Sequence, residues 1–332
     1  MKASLLAIGL SLLLVGIAPA DSLNVRRTGS CPTPGWALGV DVKGDYAYVA
    51  DHVYGLRVIS IQDPAHPSEV GHCGPLGLSY NQVSGHNMGR AYSLAVVGSL
   101  AYVAAHSAGL RIISVSDPTN PAEKGCCSMP RYAYKVAVVG EYAYVADGDS
   151  GLRIVSVADP THPTEVGYCS TPGRAWGVAV SGSYAYVTAG AFGLRVVSIA
   201  DPTRPAEVGF CDAPGNARNV AVVGDIAYVA GGAGGLRIVS IANPTNPVEV
   251  GHCDGPGKAC GVAVDGNHAY VADWGSGLRV VSVSDPGHPT EVGHYNLPDS
   301  AWDVAVAGGY AYVADFSAGL QILQFHVGGV TR

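Results

Sequence analysis

The sequence is poor in basic residues, with 19 lysines and arginines against 26 aspartates and glutamates and a formal net charge of −7. Such a chain repels polyanions, so we expect no nucleic acid and no anionic membrane surface among its partners. After residue 20 the sequence also lacks any apolar run near the ~20 residues that a membrane helix needs. Membrane insertion of the mature protein is therefore not expected.

One apolar run does occur, at the start of the chain. It extends from Leu5 to Ile17 and leads into Ala18-Pro19-Ala20, the small-x-small pattern of a signal peptidase site. We predict a signal peptide over residues 1–20, with cleavage near Ala20, and a single mature domain over residues 21–332. Position 21 is aspartate and not cysteine, which argues against a lipoprotein anchor. The expected location is therefore periplasmic, cell-surface or secreted.

Eight cysteines in an exported chain would ordinarily suggest disulfides. Six of them, however, occupy one equivalent position in an internal repeat, two residues after a glycine. Equivalent points on neighbouring units should lie beyond the ~7 Å Cα separation that a disulfide permits. These six are Cys31, Cys73, Cys127, Cys169, Cys211 and Cys253. We interpret them as small buried apolar residues, which leaves Cys126 and Cys260 as the places for redox chemistry.

The repeat itself is the strongest signal in the sequence. Each copy carries Ala-Tyr-Val, six of the seven then carry Gly-Leu-Arg, and most then carry Asp-Pro-x-x-Pro. The recurring tyrosines are Tyr48, Tyr102, Tyr144, Tyr186, Tyr228, Tyr270 and Tyr312. Their spacing is 42 residues except for a first interval of 54, which means seven copies and one insertion. A period of this length is typical of stacked or radially arranged units.

One clean copy reads as four strands. Lys135 to Val139, Tyr142 to Asp147, Leu152 to Val157 and Thr164 to Cys169 are rich in β-branched and aromatic residues and are separated by turn-forming residues. Seven four-stranded antiparallel units with two apolar faces can bury those faces against one another in a ring. The sequence therefore predicts an all-β fold, a seven-bladed β-propeller.

The two ends of the repeat predict how the ring closes. The last copy stops after its third strand, Gly319 to Phe325, and the missing fourth-strand pattern stands at the other end, in Asn24 to Cys31. We expect this N-terminal strand to complete the C-terminal blade and so remove an open sheet edge.

These residues resemble a known family. Leu-Arg-Val-Ile-Ser-Ile-Gln-Asp-Pro at 56–64, preceded by Gly55 and echoed in five further full copies, is similar to the LVIVD repeat of bacterial and archaeal surface or secreted proteins. The resemblance covers nearly the whole mature chain and implies a propeller in an extracytoplasmic setting, with no established reaction. The chain departs from the family motif where serine replaces the usual aspartate, as at Ser60.

Candidate site residues are those that vary between copies, because fixed positions form the frame. The residue after a fixed alanine is one such position; it is occupied by Leu38, Tyr92, Tyr134, Trp176, Arg218, Cys260 and Trp302. A second set follows the second strands and includes His52, Tyr54, His106, Asp149, Phe192, Trp274 and Phe316. Both sets should surround one mouth of the central channel, since the connections that carry them emerge on the same side.

We predict a ligand- or partner-binding mouth on this side, because its residue types are those enriched in binding hot spots. The predicted binding residues are Tyr92, Tyr134, Trp176, Arg218, Trp274 and Trp302. An alternative is that these aromatic side chains only plug the channel or pack between blades.

The insertion, around residues 76–90, lies in the link between the first two blades and therefore on the same side. It could place His86 near His52 and His106, three imidazoles that could bind Zn²⁺ or Cu²⁺ in a hydrolase or lyase. The spacing matches no known metal motif, and unrelated exposed histidines are the simpler interpretation. The aspartates that end second strands, such as Asp51, are interpreted as turn caps and not as catalytic carboxylates.

The resulting expectation is an exported, non-enzymatic binding scaffold with no catalytic residues and no cofactor. A protein, peptide or glycan is the expected ligand, and the chain is expected to be a monomer.

Overall fold

Short antiparallel strands account for most of the chain in the computed structural model, which describes residues 22–74 and 89–326. The predicted signal peptide, residues 1–20, lies outside the described residues. So does most of the predicted insertion, His86 included. Within the part that is described, no helix is long and apolar enough to cross a lipid bilayer.

The strands form seven four-stranded units, here called blades one to seven in chain order. The innermost strands are Gly39–Lys43, Ser93–Val97, Lys135–Val139, Gly177–Ser181, Asn219–Val223, Gly261–Asp265 and Asp303–Ala307. The second strands are Tyr46–Ala50, Leu100–Ala104, Tyr142–Ala146, Tyr184–Thr188, Ile226–Ala230, His268–Ala272 and Tyr310–Ala314. The third strands are Leu56–Ser60, Leu110–Ser114, Leu152–Ser156, Leu194–Ser198, Leu236–Ser240, Leu278–Ser282 and Leu320–Phe325. The outermost strands are Ser68–Cys73, Ala122–Cys127, Thr164–Cys169, Ala206–Cys211, Val248–Cys253, Thr290–Tyr295 and, in blade seven, Val25–Cys31.

The seven sheets form a closed ring. Within each blade the strands pair in order from the innermost to the outermost, and all pairings are antiparallel. The innermost strands of successive blades contact one another around the whole ring, and blade seven contacts blade one. The predicted seven-bladed propeller is confirmed.

The N-terminal strand closes the ring as predicted. Val25–Cys31 pairs antiparallel with Leu320–Phe325 of blade seven. A feature that the sequence did not reveal is a further two-residue strand, Ser22–Leu23, which pairs with Thr290–Tyr295 at the outer edge of blade six. The N-terminal segment therefore links blades six and seven.

The hydrophobic core is divided into seven clusters, each shared by two neighbouring blades. Between blades three and four, for example, Leu152 and Ile154 pack with Val187 and Val197, and all four are fully buried. Each blade therefore relies on both neighbours for the burial of its faces, which explains why the ring must close.

The glycine of each outermost strand is required for contact with the next blade. A Cβ atom at Gly167 would overlap the carbonyl oxygen of Pro202, in the Asp-Pro turn of blade four, and the same overlap arises with the equivalent proline in five other blades. The outermost strand is bulged next to this glycine, since Ile154 pairs with Gly167 while Val155 pairs with Glu165. The repeated Gly and Asp-Pro elements are therefore two halves of one interblade contact.

All eight cysteines lie in the described part of the chain and are free thiols. Cys31, Cys211 and Cys260 are buried, whereas Cys126 is exposed. Burial raises the pKa of Cys260 to about 11, so this thiol stays protonated near neutral pH.

Candidate functional site

The blade-to-blade links and the turns after the second strands meet at one end of the channel. The backbone N–H of Ala175 donates to the carbonyl oxygen of Gly148 at 2.9 Å, and the equivalent bond joins every pair of successive blades. The fixed alanines that make these bonds are fully buried. The invariant alanine thus belongs to the frame, and it places the variable residues on either side of it next to one another.

The first variable set forms the wall of a funnel at the channel mouth. Its members are Leu38, Tyr92, Tyr134, Trp176, Arg218, Cys260 and Trp302. The funnel contains about 410 Å³ of space, counting its open end. Five of the six predicted binding residues therefore line one cavity, while Trp274 lies outside the lining and packs on Trp302 with ring centroids 5.1 Å apart.

The rings around the funnel form a nearly continuous series of contacts, here called the aromatic arc. Its members are Trp274, Trp302, Phe316, Trp36, His52, Tyr92, His106, Tyr132, Tyr134 and Trp176. Neighbouring centroids are 4.2 to 6.5 Å apart, within the range of favourable aromatic contacts. The arc covers blades six, seven and one to four.

Two exposed members of the arc were not among the predicted residues. Trp36 is 45% exposed and Tyr132 is 38% exposed, and each directly precedes a fixed alanine. That position also varies between copies, so a comparison of the repeats one residue further upstream would have identified both.

Four rings of the arc stand on backbone in the left-handed region. His52, His106, Trp274 and Phe316 have φ of 46°, 50°, 47° and 39°. The same position is glycine in blades three, four and five. A non-glycine residue in this conformation costs about 1–2 kcal/mol. The chain therefore carries aromatic side chains at four positions where glycine would fit with less strain.

A polar layer closes the funnel below the rings. The ammonium group of Lys135 contacts Asp303 Oδ2 at 2.9 Å across the channel, and Asn219 Nδ2 donates to Asp303 Oδ1 at 3.1 Å. Ser93 also lines this layer; it is 2% exposed, and its hydroxyl has no hydrogen-bond partner within the described part of the chain. The mouth thus contains a pocket with an aromatic wall and a polar floor.

Two arginines contact the same indole ring at the rim. The guanidinium carbon of Arg218 is 5.6 Å from the ring centroid of Trp176 and 5.7 Å from that of Trp302. Arg174 is 5.3 Å from the Trp176 ring and is paired with Asp149 at 3.2 Å. Such cation–π contacts attract a guanidinium group to the aromatic ring.

The two described histidines of the metal hypothesis lie within the arc. His52 stacks on Trp36, and His106 stacks between Tyr92 and Tyr132. Burial, and then the charge of Arg90, lower the pKa of each histidine to about 4, so both are neutral at physiological pH. Over residues 22–74 and 89–326, no group of three histidine, cysteine or carboxylate side chains is arranged to hold a metal ion.

The aspartates that end second strands connect strand and link. Asp51 accepts hydrogen bonds from Thr33 Oγ1 at 2.8 Å and from the backbone of Gly35 at 3.1 Å, and it lies 3.4 Å from Arg57. The backbone groups of Arg131, Gly257 and Asp299 donate in the same way to the equivalent aspartates Asp147, Asp273 and Asp315. Burial raises the pKa of these last three carboxyl groups to about 6.

The fold and the funnel define a closed β-propeller with a pocket at one mouth, and comparison with known structures agrees. A chain of the crystal structure of the mitotic checkpoint complex aligns with a TM-score of 0.74 at 11% identity, over 98% of this chain and 100% of that one. The WD40 β-propeller domain of Doa1 aligns with a TM-score of 0.68 at 12% identity, over 91% and 97%. The computationally designed Ika8 protein aligns with a TM-score of 0.62 at 9% identity, over 91% and 99%. Likeness at these identities shows the fold alone.

The chain belongs to the LVIVD repeat family. The model of that family matches seven segments, at residues 34–74, 88–128, 130–171, 172–213, 214–255, 256–297 and 298–324. No curated protein matches the sequence significantly.

Proposed function

We propose that this LVIVD-repeat propeller is an exported, non-enzymatic binding protein that holds a protein, peptide or glycan ligand at the mouth of its central channel. One observation carries the proposal. Seven equivalent positions that vary between the copies form the wall of a single funnel, whereas the fixed alanines make the bonds of the frame.

The wall chemistry supports binding rather than simple packing. Trp176, Tyr92, Trp274 and Trp302 are each half-buried, so part of every ring remains available at the mouth. Tyr134, by contrast, is 8% exposed and serves mainly as a packing residue. Aromatic and arginine side chains in partly desolvated pockets supply most of the binding free energy at protein interfaces.

The acidic and imidazole groups at the mouth make structural contacts, which supports a non-enzymatic role. Asp51 and its equivalents bond to the links, Asp303 pairs with Lys135, and His52 and His106 are stacked and neutral. Each of these groups already has a structural role, and none is paired with a nucleophile in a catalytic arrangement.

Export is proposed from the apolar segment Leu5 to Ile17 and the Ala18-Pro19-Ala20 sequence. Fractionation of cells that express the whole chain should find a product beginning near Asp21 outside the cytoplasm. A chain lacking residues 2–20 should stay in the cytoplasm. Cytoplasmic recovery of the whole chain with its N-terminus intact would contradict this part of the proposal.

The binding proposal is tested with glycan and peptide arrays probed with the purified protein. For each ligand found, Trp176→Ala and Trp302→Ala should weaken binding at least about ten-fold, as expected for hot-spot residues. Matched controls are Tyr168→Ala and Phe210→Ala, since these rings are 59% and 54% exposed on outermost strands away from the mouth. Unchanged binding together with a large loss of stability in the tryptophan variants would mean that the rings only pack.

A further inference from the structure

Arg218 is the single cationic residue among the seven that form the funnel wall. Its guanidinium group lies between Trp176 of blade four and Trp302 of blade seven. The intervening wall residue, from blade six, is the small Cys260. The small side chain leaves the space through which Arg218 and Trp302 approach each other across the mouth.

The guanidinium group of Arg218 has no acidic partner among the described residues. Asp303, which lines the same pocket, binds Lys135 and Asn219, and Asp149 at the rim binds Arg174. The arginines of the Gly-Leu-Arg segments differ, since each pairs with a glutamate of its outermost strand: Arg57–Glu69, Arg111–Glu123, Arg153–Glu165, Arg195–Glu207, Arg237–Glu249 and Arg279–Glu291. Arg218 is thus a half-buried cation whose guanidinium N–H groups bond to no described residue.

A second free polar group faces the same space. The hydroxyl of Ser93 is buried in the floor of the funnel and has no partner within the described chain. A buried polar group of this kind costs free energy unless something bonds to it. The funnel therefore offers a cation at the wall, an unpaired hydroxyl at the floor and flat rings between them.

Geometry limits what can occupy this space. A guanidinium group binds a carboxylate through two parallel N–H···O bonds. The indole rings of Trp176 and Trp302, which lie beside Arg218, favour contact with a flat or apolar ring face. We infer that Arg218 is the anchor for a carboxylate and that the mouth binds a ligand group in which a carboxylate is attached to a ring. This inference rests on the proposed binding function and names the chemistry of the ligand.

The test compares two acidic probes, each with a neutral partner of similar shape. Tryptophan fluorescence of the purified protein is titrated with phenylacetate and with phenylacetamide, and then with methyl glucuronide and methyl glucoside, to separate an aromatic acid from an acidic sugar. At least one acid should bind about ten-fold or more tightly than its neutral partner, since a hydrogen bond to a charged group is stronger than one to a neutral group.

Arg218→Gln should abolish the preference for the acid, and Arg218→Lys should retain only part of it. Arg204→Gln is the control, because Arg204 is exposed in an Asp-Pro turn at the opposite end of the ring and its loss should leave the preference intact. Folding is not expected to be compromised, since the equivalent position is uncharged in the other six blades.

The inference would be overturned if the wild-type protein bound each acid and its neutral partner equally, or bound neither acid. It would also be overturned if Arg218→Gln kept the preference for the acid. The proposed function is judged separately. An array ligand that is lost on Trp176→Ala would leave the binding role standing even if the acid preference failed.

Discussion

The carboxyl group of Asp315 provides the sharpest quantitative test of the buried frame. It is fully buried, its Oδ1 atom has no hydrogen-bond partner among the described residues, and Oδ2 accepts only a long bond of 3.4 Å from the backbone of Asp299. In blade seven Gln321 replaces the arginine that accompanies the equivalent aspartates in blades one, three and six. Burial, reinforced by the charge of Asp299, raises the pKa of Asp315 from 3.8 to about 6.

The sign of the effect on stability follows from this shift. Because the folded protein holds the proton of Asp315 more tightly than the unfolded chain does, protonation stabilises the fold below about pH 4. That contribution is lost as the pH rises from about 4 to 6. A shift of about two units corresponds to about 3 kcal/mol. Asp315→Asn mimics the protonated form, so it should match the wild type at pH 4 and be up to about 3 kcal/mol more stable at pH 7.5.

The measurement is urea unfolding of wild type and variant at intervals between pH 4 and 7.5. His52 and His106 act in the opposite direction, since their lowered pKa values reduce stability as the pH falls from about 6.5 to 4. Both chains share that effect, so it cancels in the difference. Asp159→Asn serves as a control of opposite sign: hydrogen bonds from Thr161 lower the pKa of this exposed carboxyl group to about 2, so the variant should be no more stable than the wild type at pH 7.5. A stability difference for Asp315→Asn that does not change with pH would refute the reasoning.

Three further predictions concern the frame and the funnel floor. Lys135→Met leaves the carboxylate of Asp303, which is 7% exposed, without its cation. We expect the free energy of unfolding in urea to fall by about 3 kcal/mol and to recover in part when Asp303→Asn is added. No recovery in the double variant would contradict the pairing. Gly167→Ala should lower stability by about 1–3 kcal/mol, measured by thermal unfolding, because the added Cβ meets the next blade. Gly275→Ala should be nearly neutral in the same measurement, because the space around Gly275 is open. Alkylation followed by mass spectrometry should label Cys126 first in the folded protein and all eight thiols after denaturation. Fewer than eight labelled thiols in protein denatured without a reductant would reveal a disulfide.

The frame could be predicted from the sequence because its physical causes are local and repeated seven times. Strand periodicity and the Asp-Pro turns specify each blade, and Asp159 does cap its turn by accepting the backbone N–H of Thr161 at 2.9 Å. Ring closure was also predictable, since the fourth-strand pattern missing after Phe325 stands at Val25–Cys31. The bulge beside Gly167 was not predictable from periodicity, because it is set by the fit against the next blade.

The site could be predicted only in part. The repeat comparison located the wall of the funnel, since residues there vary while their neighbours are fixed. The floor was missed because Lys135 and Asp303 are 168 positions apart and meet only when the ring closes. Likewise, nothing in the local sequence showed that His52 and Trp274 occupy a left-handed backbone position, because residues with a left-handed backbone are most often glycine.

Hydrogen–deuterium exchange of the wild-type protein, with and without a ligand found on the arrays, tests the central claim most directly. The account predicts slower exchange confined to the links that precede the innermost strands, at residues 34–38, 130–134, 172–176, 214–218 and 298–302. Protection centred on the Asp-Pro turns at the opposite end, or on the outermost strands, would contradict the assignment of binding to the channel mouth.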